Sequence, residues 1–112
     1  MTRFPMGFEV IGTGHYVPGP PVPNERLAKV MDTSDEWIFQ RSGIRQRHFA
    51  REGEAASDFA FEASKRAIEA AGINPKEIDY IIFATMTPDY IFPGSGAVLG
   101  AKLGLEGVPA LD

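Results

Sequence analysis

Two side chains in this sequence have the types and spacing of a ligand clamp. Trp37 and Arg41 are four residues apart, so on a helix they stand on the same face, one turn above the other. An indole beside a guanidinium offers a flat stacking surface and a fork of donors, which suits an aromatic base that carries phosphates. The same pair also suits a core anchor with a solvated partner, and the residues alone leave these two readings balanced. Other candidates are weaker. His15 and His48 have no Asp or Cys at metal-ligand spacing, so neither is assigned to a metal. The sequence has no cysteine, which removes disulfides, thiolate metal sites and a thiol nucleophile from these residues. Gly12-x-Gly14 could open a phosphate-binding turn, but no third glycine or helix follows it, only the run Pro18-Gly19-Pro20-Pro21-Val22-Pro23.

The clamp needs a helix, and local signals supply one. Thr33 followed by Glu36 reads as a capping box, residues 34–41 as about two helical turns, and Gly43 as the left-handed residue that ends them. Upstream, 8–17 reads as a strand whose glycines let another backbone come close. The proline cluster reads as an extended surface connection. Asn24 then caps a short helix over 25–31 with Leu27, Val30 and Met31 on its apolar side. Downstream, 44–50 alternates as a short strand or edge segment, whose basic Arg45, Arg47 and His48 could face a ligand or water, with water the favoured reading for edge charges.

The clearest helix covers 57–71. Phe59, Ala60, Ala63, Ala67 and Ala70 form its buried stripe, and Asp58, Glu62, Lys65, Arg66 and Glu69 its wet one, with Glu62 placed to pair with Arg66. An alanine face lets a helix lie close to its neighbour. Gly72 ends this helix and Pro75 prevents its continuation. Residues 80–85 are apolar on both faces, as in a central parallel strand covered on each side. The loop over 87–93 leaves the carboxyl end of that strand, where open α/β sheets bind ligands. A small-residue helix over 94–103, ended by Gly104, and a strand over 108–112 complete an α/β order with right-handed crossovers.

At 112 residues the chain suits one small domain, and with 44% hydrophobic and 23% charged residues it has the composition of a packed globular protein. Its net charge of −4 argues against a nucleic-acid partner. No apolar run is long enough to span a membrane, and the first seven residues lack the apolar core of a secretion signal.

Four segments resemble the N-terminal part of the β-ketoacyl-acyl-carrier-protein synthases III, condensing enzymes of the thiolase superfamily. They are 11–18 (IGTGHYVP), 32–38 (DTSDEWI) with 41–45 (RSGIR), 70–73 (AAGI) leading into 79–82 (DYII), and Phe92-Pro93. The resemblance runs from Phe8 onward, and 32–38 is its most specific part. It implies an α/β, thiolase-like layered fold with a mixed sheet covered by helices, of which residues 1–112 are the first portion of the N-terminal domain. It also implies a cytoplasmic homodimer that takes an acyl group from acyl-CoA onto a cysteine and condenses it with malonyl-acyl-carrier-protein, releasing carbon dioxide. Acyl-CoA is then a substrate, and no separate cofactor or metal is implied. By the same resemblance Trp37 stacks on the adenine of coenzyme A, Arg41 and Thr33 lie at the same nucleotide end, and Phe92 crosses the dimer interface to help close the partner's acyl pocket.

The chain departs from the family pattern at Gly94-Ser95-Gly96, and no catalytic residue falls within it. The family's cysteine is expected shortly after the strand that ends at Asp112, with a histidine and an asparagine much further along a longer chain. Two alternatives accompany this reading. One is a thiolase-superfamily relative that condenses two acyl-CoA molecules or loads a polyketide starter. The other is a non-catalytic CoA- or nucleotide-binding module that uses only the Trp37 and Arg41 face.

Overall fold

The computed structural model describes residues 7–112; the expectation of no leader peptide bears mainly on residues 1–6, outside the described range. The described residues form two compact units, one of 17–54 and the other of 55–112 together with 7–16. Among the described residues no helix is long and apolar enough to cross a membrane.

In the 17–54 unit, strand β1 (Val22–Pro23) pairs antiparallel with β2 (Gln46–Arg47), with Val22 opposite Arg47. The proline cluster is therefore not simply a surface connection, since its end enters a ladder and Pro18 is buried. Helix α1 (Asn24–Leu27) is a single turn, shorter than the expected 25–31. Past Leu27 the regular α-helical bonding gives way to a turn, in which the Val30 amide donates to the Leu27 carbonyl three residues back at 3.0 Å. Helix α2 (Asp35–Ser42) follows and ends at Gly43, whose φ of +71° is a left-handed conformation that favours glycine. Its cap differs from the expectation. Ser34, not Thr33, sits extended at the N-cap and accepts the Trp37 amide at 3.1 Å. Glu36 does not reach back to close a capping box, and instead accepts the Gln40 side-chain amide at 3.1 Å.

The other unit is built on helix α3 (Ala56–Ala71), which ends at Gly72 as expected. One 3-10 turn (Pro75–Glu77), capped by Asn74, leads to β3 (Ile81–Ile82); helix α4 (Ser95–Lys102) then crosses to β4 (Ala110–Leu111). The two strands run parallel, with Ile81 opposite Ala110 and Ile82 opposite Leu111. Ile81, Phe83 and Leu99 form the buried core, and Ala60, Phe61, Ile78 and Leu103 pack around it. The strand expected over 80–85 is covered on one face only among the described residues, because alternation sends Tyr80 and Ile82 outward.

Residues 8–17 join no ladder among the described residues, contrary to the strand expectation. The segment lies instead along the alanine stripe of α3. A Cβ on Gly12 would overlap the Ala67 carbonyl, and one on Gly14 the Ala63 carbonyl, so the two backbones touch directly. This contact accounts for Gly-x-Gly without a phosphate. Tyr16 stacks on Phe59 at 6.1 Å, and Arg66 donates to the His15 carbonyl at 2.8 Å. Arg66 therefore fastens this segment rather than pairing with Glu62, which binds Lys65 at 2.9 Å.

Candidate functional site

The α2 surface is held by one buried amide. Asn24 is fully buried; its side-chain nitrogen donates to Asp35 Oδ1 at 2.8 Å and to the Ile44 carbonyl at 2.7 Å, while its oxygen accepts from Arg47 Nη2. Arg47 also donates to the Val22 carbonyl at 3.0 Å. The start of α2, the chain leaving it and the β1–β2 ladder thus meet at one side chain whose polar atoms are all used. His48 Nδ1 lies 3.1 Å from the Pro18 carbonyl and 3.2 Å from that of Gly19. Arg47 and His48 therefore tie this unit together, correcting the expectation that they face water.

On this frame Trp37 is 55% exposed, and the Arg41 guanidinium lies 4.6 Å from its ring centroid. A second stack lies on a different face of α2, because Phe39 follows Trp37 by two residues, with Arg45 3.7 Å over Phe39 and 3.3 Å from Asp35 Oδ2. The Trp37–Arg41 face is an exposed indole with donors alongside. It offers a π face and positive charge, a set that would suit an aromatic, anionic ligand and contains no nucleophile or base. Trp37 is not a core anchor of this unit. Thr33 precedes the Ser34 cap; its amide donates to the Met31 carbonyl at 3.0 Å, and its hydroxyl is shielded from solvent without a hydrogen-bond partner.

Phe92 belongs to the other unit, on the loop between β3 and α4, and is 89% exposed, as are Met86 at 96% and Ile91 at 98%. At the base of that loop Asp89 accepts the Ser57 amide at 2.9 Å, the Ser57 hydroxyl and the Ser95 hydroxyl at 3.2 Å, and its own amide donates to Ser95 Oγ at 2.9 Å. Burial opposes the charged form of Asp89, but the Ser57 and Ser95 hydrogen bonds and the Lys102 charge outweigh it and hold the carboxyl below its ordinary range. At the end of β4, Asp112 Oδ1 accepts the Gly96 amide at 2.7 Å. Both glycines of the Gly94-Ser95-Gly96 run sit in this crowding. A Cβ on Gly94 would overlap the Asp112 carboxylate, and one on Gly96 would lie 2.9 Å from Ala110 Cβ.

The structure thus brings Trp37 and Arg41 together, with Thr33 just ahead of their helix, and places Phe92 on a loop of the other unit. Asn24, Asp89 and Asp112 escaped the sequence reading as organising residues. Asn24 carried a cap signal and Asp89 a Pro-Asp turn signal, but neither motif reveals a partner 20 or 32 residues away.

No family model matches the chain. It is 50% identical over 103 residues to the β-ketoacyl-[acyl-carrier-protein] synthase III of Xanthomonas oryzae pv. oryzae, covering 92% of this chain and 32% of the relative. Among solved structures it superposes on 3-oxoacyl-[acyl-carrier-protein] synthase III from Aquifex aeolicus VF5 with a TM-score of 0.84 and 43% identity, over 95% of this chain and 34% of the other. The priming β-ketosynthase of the R1128 polyketide pathway gives a TM-score of 0.81 at 35% identity, over 92% and 31%. The chain spans about a third of the length of the relatives it matches. The fold they share is the thiolase-like α/β arrangement.

Proposed function

We propose that this chain, which matches the N-terminal third of β-ketoacyl-[acyl-carrier-protein] synthase III, is the opening portion of the N-terminal thiolase-like domain of an acyl-transferring condensing enzyme. The reaction joins an acyl-CoA primer to malonyl-acyl-carrier-protein, giving a 3-oxoacyl-acyl-carrier-protein with release of CoA and carbon dioxide, and so begins fatty acid synthesis. The observation that carries this reading is the 50% identity over 103 residues together with an exposed Trp37, from the most family-specific segment, under the Arg41 guanidinium.

In this reading Trp37 stacks on the adenine of coenzyme A. Arg41 meets its phosphates, and Thr33 lies at the same end. Phe92 reaches across a homodimer to the partner's acyl pocket. The nucleophilic cysteine and the groups that stabilise the developing enolate lie beyond Asp112. The enzyme works in the cytoplasm with acyl-CoA and acyl carrier protein as its partners, and needs no separate cofactor. Loading of a polyketide starter is a second reading, supported by the likeness to the R1128 priming β-ketosynthase.

The test is to incubate the full-length protein that carries this chain with radiolabelled acetyl-CoA and then with malonyl-acyl-carrier-protein. The expected results are an acyl-enzyme whose label maps to a cysteine shortly after residue 112, and a labelled 3-oxoacyl product. Absence of an acyl-enzyme overturns the condensing-enzyme reading. Transfer to a polyketide carrier alone selects the second.

A further inference from the structure

We propose that Asp89 is a positioning residue for the apolar segment Tyr90-Ile91-Phe92, acting through Ser57 at the start of α3 and Ser95 at the start of α4. The three residues that follow Asp89 are 64%, 98% and 89% exposed, so packing within this unit does not set their direction. Polar contacts on either side of the segment do. Ser57 and Ser95 are fully buried, and both bind the Asp89 carboxylate. The Asp89 amide also donates to Ser95 Oγ, which closes a ring across the base of the loop. Beyond the segment, the Gly96 amide is held by Asp112. Phe92 therefore leaves a base clamped at both ends, and its aim is inherited from that clamp.

A carboxylate serves this place best. Its two oxygens accept from one amide and two hydroxyls, whereas an asparagine lacks the charge, has a single acceptor oxygen, and forces the hydroxyl opposite its NH2 to turn and accept instead of donating. The consequence for acyl selectivity rests on the reading of Phe92 given above. The anchoring of the loop does not.

The experiment uses Asp89→Asn and the milder Ser95→Ala in the full-length protein that carries this chain. One readout is hydrogen exchange over 86–92 with chymotryptic nicking at Tyr90. The other is the primer-length profile of kcat and KM. We expect exchange and nicking to rise roughly tenfold, as for the loss of one charge-assisted hydrogen bond, while α3 and β3 stay protected. The length profile should broaden in the direction produced by Phe92→Ala. Unchanged exchange and nicking in both variants overturn the proposal, as does an equal loss of protection throughout α3 and β3 in both. A faster-nicked loop with an unchanged length profile supports the anchor and removes Phe92 from the acyl pocket. A full-length protein without acyl transfer sinks the functional reading, and the exchange data still judge Asp89.

Discussion

The Arg41 guanidinium lies 4.6 Å from the Trp37 ring centroid, and the indole beneath it remains 55% exposed. A side chain so placed adds little to the fold and leaves a ring face open for stacking. In the full-length protein, Trp37→Ala should weaken acyl-CoA binding by roughly 1–3 kcal/mol, the range for a lost base–aromatic contact, with little change in melting temperature. Calorimetric titration and thermal unfolding measure the two. Unchanged affinity with a large drop in Tm would reverse the assignment. Arg41→Ala should weaken binding by an amount that shrinks as salt rises, because contacts to phosphate are screened.

Asn24 behaves oppositely. Its amide satisfies Asp35, the Ile44 carbonyl and Arg47, and it is wholly buried. Asn24→Leu should destabilise the protein by at least roughly 1–3 kcal/mol, the cost of a single stranded buried polar group. Denaturant unfolding would show this, and a loss below about 0.5 kcal/mol, typical of an ordinary surface position, would contradict it.

Gly12 and Gly14 offer a packing test. Ala at either position pushes residues 12–16 away from the Ala63 and Ala67 carbonyls, and overpacking of this kind costs about 1–3 kcal/mol. Gly7→Ala is the control, since a Cβ there meets nothing within 4 Å. Equal melting temperatures for Gly7→Ala and Gly14→Ala would show that the close contact contributes no stability.

Asp89 predicts a pH dependence with a definite sign. Its folded carboxyl lies below the ordinary value, so the stability it contributes is fully present above the ordinary carboxylate range and is lost as pH falls through the folded value. Asp58 acts in the same direction, held down first by the Lys102 hydrogen bond and then by the Ala55 amide. The Tm difference between the natural protein and Asp89→Asn should therefore be largest near neutral pH and shrink below about pH 4, where the ordinary carboxylate also becomes protonated. A difference constant from pH 3 to pH 7 would rule out the charge as its source.

Local signals in the sequence carried most of the helices. Gly43 and Gly72 end α2 and α3 as read, and the period of small residues placed α3 within one residue of its start. What failed depended on partners distant in sequence. Thr33 and Ser34 are both good caps, and only the backbone geometry chose Ser34. The segment 8–17 has strand composition, yet its neighbour is the alanine face of a helix some fifty residues later. Arg47 and His48 resemble edge charges until Val22, Asn24, Pro18 and Gly19 are placed beside them. In the candidate site, Trp37 and Arg41 were legible because helical spacing is local. Asp89 was not, since its role lies in Ser57 and Ser95.

The division of the chain into an unbroken unit, 17–54, and one assembled from the stretches on either side has a consequence for how the protein is made. Synthesis releases the N-terminal end first, and elements complete as their partners emerge. All the strands and helices of 17–54 find their partners within that span, so these pairings become available before the buried core of Ile81, Phe83 and Leu99 has been made. The segment that presses Gly12 and Gly14 on α3 emerges earlier but must wait, undocked, until Ala63 and Ala67 have left the ribosome. A pause in translation once residue 54 has left the ribosome, with α3 still inside it, therefore leaves every ladder partner of 17–54 available while 7–16 has none of its own.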